Sequence, residues 1–305
     1  MKLLNVYTEG FKKTFGSLKI VTIIYGITLL IGIIFSSSFN SIMTDNFSSR
    51  NMLYMLFRDF DFTVYSDFMN NYGDIINSFT SIMIWFGMFY FFFSVFFAGG
   101  ILKFFEGSTI KSKTQNFFAG SSKFFFRFLR LGIYVLLIQL IIFGIIALIF
   151  SAIFNNASKN SAEPALFTIL MIWLAIHIIF FIFLSIVSDY AKIILVKEDS
   201  KKVWRALWGS FKFTLKKLYL TYPLYIILSI VPAVLFILYF WLDSAIGMHS
   251  GLTILLMFLI QQIFIWVRLF AKVWILGSQY EFFNNHLAER TKPLLTQEIL
   301  MNEEM

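Results

Sequence analysis

The chain has 305 residues, of which 59% are hydrophobic, 20% aromatic and only 14% charged, with a formal net charge of +8. Ordinary soluble domains average about 45–50% apolar and about 25% charged residues, so the composition excludes a typical water-soluble domain. Cysteine is absent, which removes disulfides, thiol nucleophiles and cysteine metal sites.

Charged residues are missing from six long stretches: 20–44, 75–102, 131–158, 164–188, 218–242 and 244–267. Each is long enough for the roughly 20 residues that cross a hydrocarbon core. A single segment in lipid satisfies its own backbone only as a helix. The expected fold is therefore all-α and integral to the membrane, with transmembrane helices over about 20–37, 79–102, 131–154, 166–188, 219–241 and 252–270. No small-residue cleavage site follows the first stretch, so a removed signal peptide is not expected. Alternation of the kind that builds a transmembrane β-barrel is also absent.

Taken in chain order, the first span is approached through the basic, aromatic segment "GFKKTFGSLKIVTIIY", and from the residues before it onward Leu4, Tyr7, Phe11, Phe15 and Leu18 recur at helical spacing. An external loop is expected over 38–78. Its Asp59, Asp61 and Asp67 are too scattered for a cation site, which needs several converging oxygens, and read as a solvated acidic cap. Gly99 and Gly100 close the second span, where they allow either close packing or a turn. "GSSKFFFRFLRLGIY" leads into the third span and "GSFKFTLKKLYLTY" into the fifth. Before the fifth, Trp204, Leu207, Trp208, Phe211, Leu215 and Leu218 share helical spacing, while Lys201, Arg205, Lys212 and Lys216 occupy other faces. An apolar face, a basic face and aromatic anchors describe a helix lying in the membrane interface. The predicted architecture is thus three helical hairpins, each preceded by an amphipathic helix on the cytoplasmic face. They form one membrane domain over 1–283, followed by a polar cytoplasmic tail over 284–305.

The charges alternate with the spans. Segments before span 1, between spans 2 and 3, between spans 4 and 5 and after span 6 hold 22 of the 25 Lys and Arg; only Arg50, Arg58 and Lys159 lie on the other side. Basic residues are retained on the cytoplasmic side, so both termini are expected there and the protein is expected in the cell membrane. Topology and attraction to anionic lipid headgroups account for the basic balance, and no nucleic-acid partner is implied.

Within "GLTILLMFLIQQIFIWVRLFAKVWILGSQYEFF", Arg268 comes about 24 Å along span 6 from Leu252 at 1.5 Å per residue. Arg268 and Lys272 therefore mark the inner edge of the hydrocarbon, where their stems lie along lipid and their charges reach headgroups. Asp189 ends span 4 at nearly the same depth, which makes Asp189 with Arg268 and Lys272 a candidate ion-pair group. Deeper in the spans, His177, Gln139, Gln261 and Gln262 fall at one level near the midplane. Such a level can hold a substrate or proton pathway, or can tie helices together by hydrogen bonds. With no carboxylate at that depth, helix-to-helix bonding is the favoured reading. Pro223 and Pro232 fall in span 5, where they either bend the helix or free carbonyls for a cavity.

The stretch "SDYAKIILVKEDSKKVWRALWGSFKFTLKKL", residues 188–218, resembles a pattern in six-span bacterial and archaeal membrane proteins. These include the membrane domain fused to some glycerophosphodiester phosphodiesterases. In the pattern an aromatic residue ends a span, a short charged link follows, and "A-L-x-x-S" opens an amphipathic helix. Tyr190, Glu198, Asp199, Ala206, Leu207 and Ser210 stand at those positions, with one residue fewer between them. The resemblance implies a membrane-embedded helical module tied to lipid or envelope maintenance; lacking a phosphodiesterase domain, it implies no hydrolase activity. No H-E-x-x-H, G-x-S-x-G or Walker signature occurs. The function expected is that of a non-enzymatic membrane component without cofactor or metal. Its expected partners are the bilayer, anionic lipids, and other membrane proteins or a second copy of itself. The alternative is a transporter or channel using the polar level around His177.

Overall fold

A computed structural model describes residues 3–46, 62–107, 113–160, 163–246 and 250–303, with side chains outside the description at 38–46, over most of 62–79, at 156–165 and beyond Leu287. Eight helices and no strand occur among the described residues: α1 (Leu3–Phe15), α2 (Leu18–Asn46), α3 (Phe62–Glu106), α4 (Lys113–Asn160), α5 (Glu163–Lys197), α6 (Val203–Lys216), α7 (Leu218–Ile246) and α8 (Gly251–Glu303). The helices α2, α3, α4, α5, α7 and α8 are each long and apolar enough to cross a membrane. Asp59 and Asp61 fall outside the described residues, and Asp67 has no described side chain.

The chain divides into two compact units, residues 22–94 and residues 1–21 with 95–305. In the smaller unit, α2 and α3 meet through Phe35, whose ring contacts Phe86 edge-on at 5.0 Å and Phe89 at 5.9 Å.

In the larger unit, α4 and α5 form an antiparallel pair. Lys123 meets Asp199, Gln139 meets His177, and Phe150 meets Trp173, so the register runs in opposite directions on the two helices. A second pair joins α7 to α8, where Phe236 and Tyr239 both face Phe264. Ser250 caps α8 reciprocally: its Oγ accepts the Thr253 N–H while Thr253 Oγ1 accepts the Ser250 N–H. Both prolines of α7 lie inside a continuous helix.

Buried residues concentrate where the basic segments converge. Leu102 and Phe105 of α3, Phe117, Phe124 and Phe128 of α4, Ile186 to Val196 of α5, Ala206 of α6, Leu224 of α7 and Leu276 to Phe283 of α8 form this core. Further along the same helices, large apolar side chains are exposed: Leu136 to Ile153 on α4, Phe167 to Phe181 on α5, Phe236 to Trp241 on α7 and Leu252 to Ile263 on α8 all include examples.

Small residues allow the close approaches in this core. A Cβ on Gly10 of α1 would lie 2.7 Å from the backbone nitrogen of Ser278 on α8 and 2.8 Å from its Cα. A Cβ on Gly100 would fall 2.5 Å from the Phe117 ring, so the pair Gly99–Gly100 serves close packing against α4 and not a turn. The helix α3 instead ends at Gly107, whose φ of +80° supplies the left-handed residue that commonly closes a helix.

The first and third approach segments are separate helices, α1 and α6, whereas the second is continuous with its span inside α4. Both separate helices seat on small or polar residues four apart: Val6, Gly10 and Thr14 in α1, and Ala206, Ser210 and Thr214 in α6. Their large side chains face outward, with Leu4, Phe11 and Phe15 exposed on α1 and Trp204, Trp208 and Leu215 exposed on α6. Leu207 belongs to the buried side, so the apolar series expected to share one face is divided between two.

Candidate functional site: a polar pair between apolar helices

Gln139 on α4 and His177 on α5 face each other with their Nε2 atoms 3.4 Å apart. As the amide is oriented, its N–H donates to His177 Nε2, which leaves Nδ1 as the protonated nitrogen of a neutral imidazole. Nδ1 is buried and has no hydrogen-bond partner. At this distance the bond is long and weak.

Aromatic rings flank His177. Trp173, one turn before His177 on α5, stacks on the imidazole at 6.0 Å, and Phe143, one turn after Gln139 on α4, meets it edge-on at 4.9 Å. Phe150 continues the column against Trp173 at 5.3 Å, and Phe154 lies against Phe150 at 5.5 Å. Trp173 Nε1 is a second buried donor without a partner. The spacing of four on each helix produces this ladder, since such residues share a face. Chemically the site offers one hydrogen bond, one spare N–H on the imidazole and one on the indole. Among the described residues no group of three or more His, Asp or Glu comes together to hold a metal ion.

His177 meets Gln139 of the expected polar level; Gln261 and Gln262 lie on α8, Gln261 exposed and Gln262 half-buried. Position along a helix is readable from the sequence, but the direction each residue faces depends on which helices are neighbours.

The expected Asp189–Arg268 pair is not formed. Asp189 Oδ1 accepts from Lys192 Nζ at 2.9 Å on its own helix, the shorter connection to make because both groups already share a face. Arg268 and Lys272 are exposed on α8, which passes both without interruption. Of the residues expected on the outer side of the interfacial helix, Lys201, Arg205, Lys212 and Lys216 are exposed with Trp204 and Trp208, and Lys212 Nζ lies 5.4 Å from the centre of the Trp208 ring.

The most concentrated buried polarity was not foreseen. Ser278 and Gln279 are completely buried on α8, and neither the Ser278 hydroxyl nor either amide atom of Gln279 has a partner. Beside them Lys13 of α1 pairs with Glu281, and Lys13 and Lys197 lie 4.8 and 4.7 Å from the centre of the Tyr280 ring. Lys13 Nζ also donates to the Phe105 carbonyl, and Trp274 Nε1 donates to the Tyr7 carbonyl at 3.0 Å. Periodicity gives no sign of this, because the segment is enclosed on every side and so shows no single apolar face.

Near this core the α5–α6 turn is held by Asp199, which accepts from Lys123 Nζ and Arg127 Nη1 of α4, each at 2.7 Å. These two hydrogen bonds, Lys123 first, hold the Asp199 carboxyl below its usual range against a smaller opposing effect of burial.

No family model, curated protein or solved structure matches the chain. Helix length and apolarity define its class: an all-α, multi-pass membrane protein.

Proposed function

We propose that the chain is a non-enzymatic component of the cell membrane that binds lipids or partner proteins in assembly or envelope maintenance. The supporting observation is the unequal distribution of packing. In none of the six apolar helices is more than 17% of the most apolar window buried by the chain itself. The convergent basic segments, by contrast, are densely packed and joined by ion pairs. Apolar surface on that scale is covered in the membrane by lipid or by other helices. The basic end fits the cytoplasmic face, where Lys and Arg are retained and anionic headgroups attract them. Both termini then lie inside. The resemblance over residues 188–218 points the same way, toward a membrane-embedded helical module tied to lipid or envelope maintenance.

Identifying what remains bound after purification in mild detergent tests this reading. Stoichiometric retention of anionic lipid or of a membrane protein is the expected result. A chain free of both, with unaltered cellular function, would contradict it.

A second reading, transport of a small substrate or proton, draws on the unpartnered Nδ1 of His177 beside Gln139. His177→Leu removes both imidazole nitrogens. Unchanged cellular function in that variant would eliminate transport through this pair.

A further inference from the structure

A cavity of about 170 Å³ lies in the larger unit, between α1, the junction of α6 with α7, and α8. Leu3 comes from α1, Lys217, Tyr219 and Leu220 from the junction, and Phe282 and His286 from α8. Its capacity is that of about six water molecules, the scale of a headgroup fragment and not of a whole lipid. We propose that it binds the phosphate headgroup of an anionic phospholipid, an inference that rests on the lipid-binding reading and gives it a specific site.

The lining sets the sign of the ligand. Lys217 and His286 provide nitrogen donors, and among the described residues no carboxylate contributes to the wall. Lys217 makes no ion pair with any described residue. A phosphate oxygen accepting from the Lys217 ammonium forms a charge-assisted hydrogen bond. His286 lies one turn beyond Phe282 on α8, so the imidazole and the apolar ring share a face.

The position sets the depth. Lys217 is the last charged residue before the charge-free run 218–242, so the cavity lies where the chain passes from basic to apolar. Phosphates occupy that level in a bilayer, and Tyr219, 69% exposed, is the kind of aromatic residue enriched there.

The remaining walls favour a lipid over a free ion. Leu3, Leu220 and Phe282 offer nothing to inorganic phosphate but can contact glycerol and the first methylenes of a chain. Exposed Leu4 and Leu218 adjoin them in sequence and extend the apolar surface outward. A phosphodiester carrying acyl chains uses the charged and apolar parts together.

The test uses the full chain in detergent micelles doped with phosphatidylglycerol or phosphatidylcholine, with bound lipid counted by native mass spectrometry. Wild type is expected to retain phosphatidylglycerol preferentially. Lys217→Gln should weaken retention by about tenfold, as expected for loss of one charge-assisted contact, whereas Lys217→Arg should keep it. Leu220→Trp, which fills the cavity without altering charge, should weaken retention as well. Lys19→Gln removes an exposed charge outside the cavity and should have no effect. If Leu220→Trp does not fold, the contrast between Lys217→Gln and Lys217→Arg still decides. Equal weakening by Lys217→Gln and Lys19→Gln would overturn the site while leaving general attraction to anionic lipid intact. No preference for phosphatidylglycerol in wild type would overturn both the site and the lipid-binding reading. Displacement of the lipid by excess inorganic phosphate would reassign the cavity to a soluble anion and overturn the proposal.

Discussion

Asp199 occupies the turn between α5 and α6 at a φ of +44°, a left-handed conformation that Asp and Asn tolerate better than most residues. Its carboxylate ties that turn to Lys123 and Arg127. Because its pKa is lower in the folded chain than in the unfolded one, the tie contributes fully above the ordinary carboxylate pKa. The contribution is lost as pH falls through the lowered value. Proteolysis of the 198–202 turn should therefore accelerate below about pH 4 in wild type. Asp199→Asn, which keeps the backbone tolerance, should be susceptible at neutral pH and show no acceleration across that window. Asp199 and Lys123 are largely exposed, so the effect on global stability should stay below about 1 kcal/mol. The Gln139–His177 bond calls for a different measurement, a double-mutant cycle with Gln139→Leu and His177→Leu in detergent unfolding. Polar contacts between membrane helices average about 0.6 kcal/mol, and a 3.4 Å bond should fall near that value. A coupling above about 2 kcal/mol would show that the pair is tighter in the membrane than its geometry implies. At this scale the sequence showed how far along their helices His177 and Gln139 lie, because that follows from counting residues. It did not reveal that Asp189 would choose Lys192 over Arg268, because matching depths says nothing about facing.

At the scale of single elements, α1 and α6 show what hydrophobic periodicity misses beside a membrane. Large apolar side chains dominate any such pattern, yet Phe11, Phe15, Trp204 and Trp208 stay exposed, Phe11 and Trp204 touching neighbouring rings only in part, and small residues form the buried seats. In water that arrangement would be unfavourable; next to lipid, outward aromatic rings are solvated and small residues let helices approach closely. Gly10 is the sharpest case. Gly10→Val should cost about 1–3 kcal/mol by overpacking, because the obstructing atoms include the Ser278 backbone and cannot swing aside. Hydrogen exchange over residues 3–15 should rise while exchange in the α4–α5 pair stays unchanged. Equal exchange in wild type and variant would mean that α1 does not depend on this seat. Gly16, whose Cβ would meet only carbonyl oxygens of its own chain at 3.4 Å or more, should tolerate Ala with little change.

For the whole molecule, six charge-free stretches sufficed to specify an all-helical membrane protein, because crossing lipid constrains length and polarity far more than it constrains packing. Which surfaces the helices bury was not legible. Apolar residues facing lipid and apolar residues facing a neighbouring helix are the same residues, and polar positions such as Gln279 become core only through tertiary enclosure. The reading of lipid and partner binding therefore depends on orientation, with the basic segments inside. Absence of native cysteine permits a direct test by single-cysteine labelling with an impermeant thiol reagent. Glu198→Cys reports the exposed α5–α6 turn and Ser250→Cys the exposed start of α8. The account predicts that in intact cells Ser250→Cys is labelled and Glu198→Cys reacts only after the membrane is opened. Labelling of Glu198→Cys in intact cells, with Ser250→Cys protected, would contradict it.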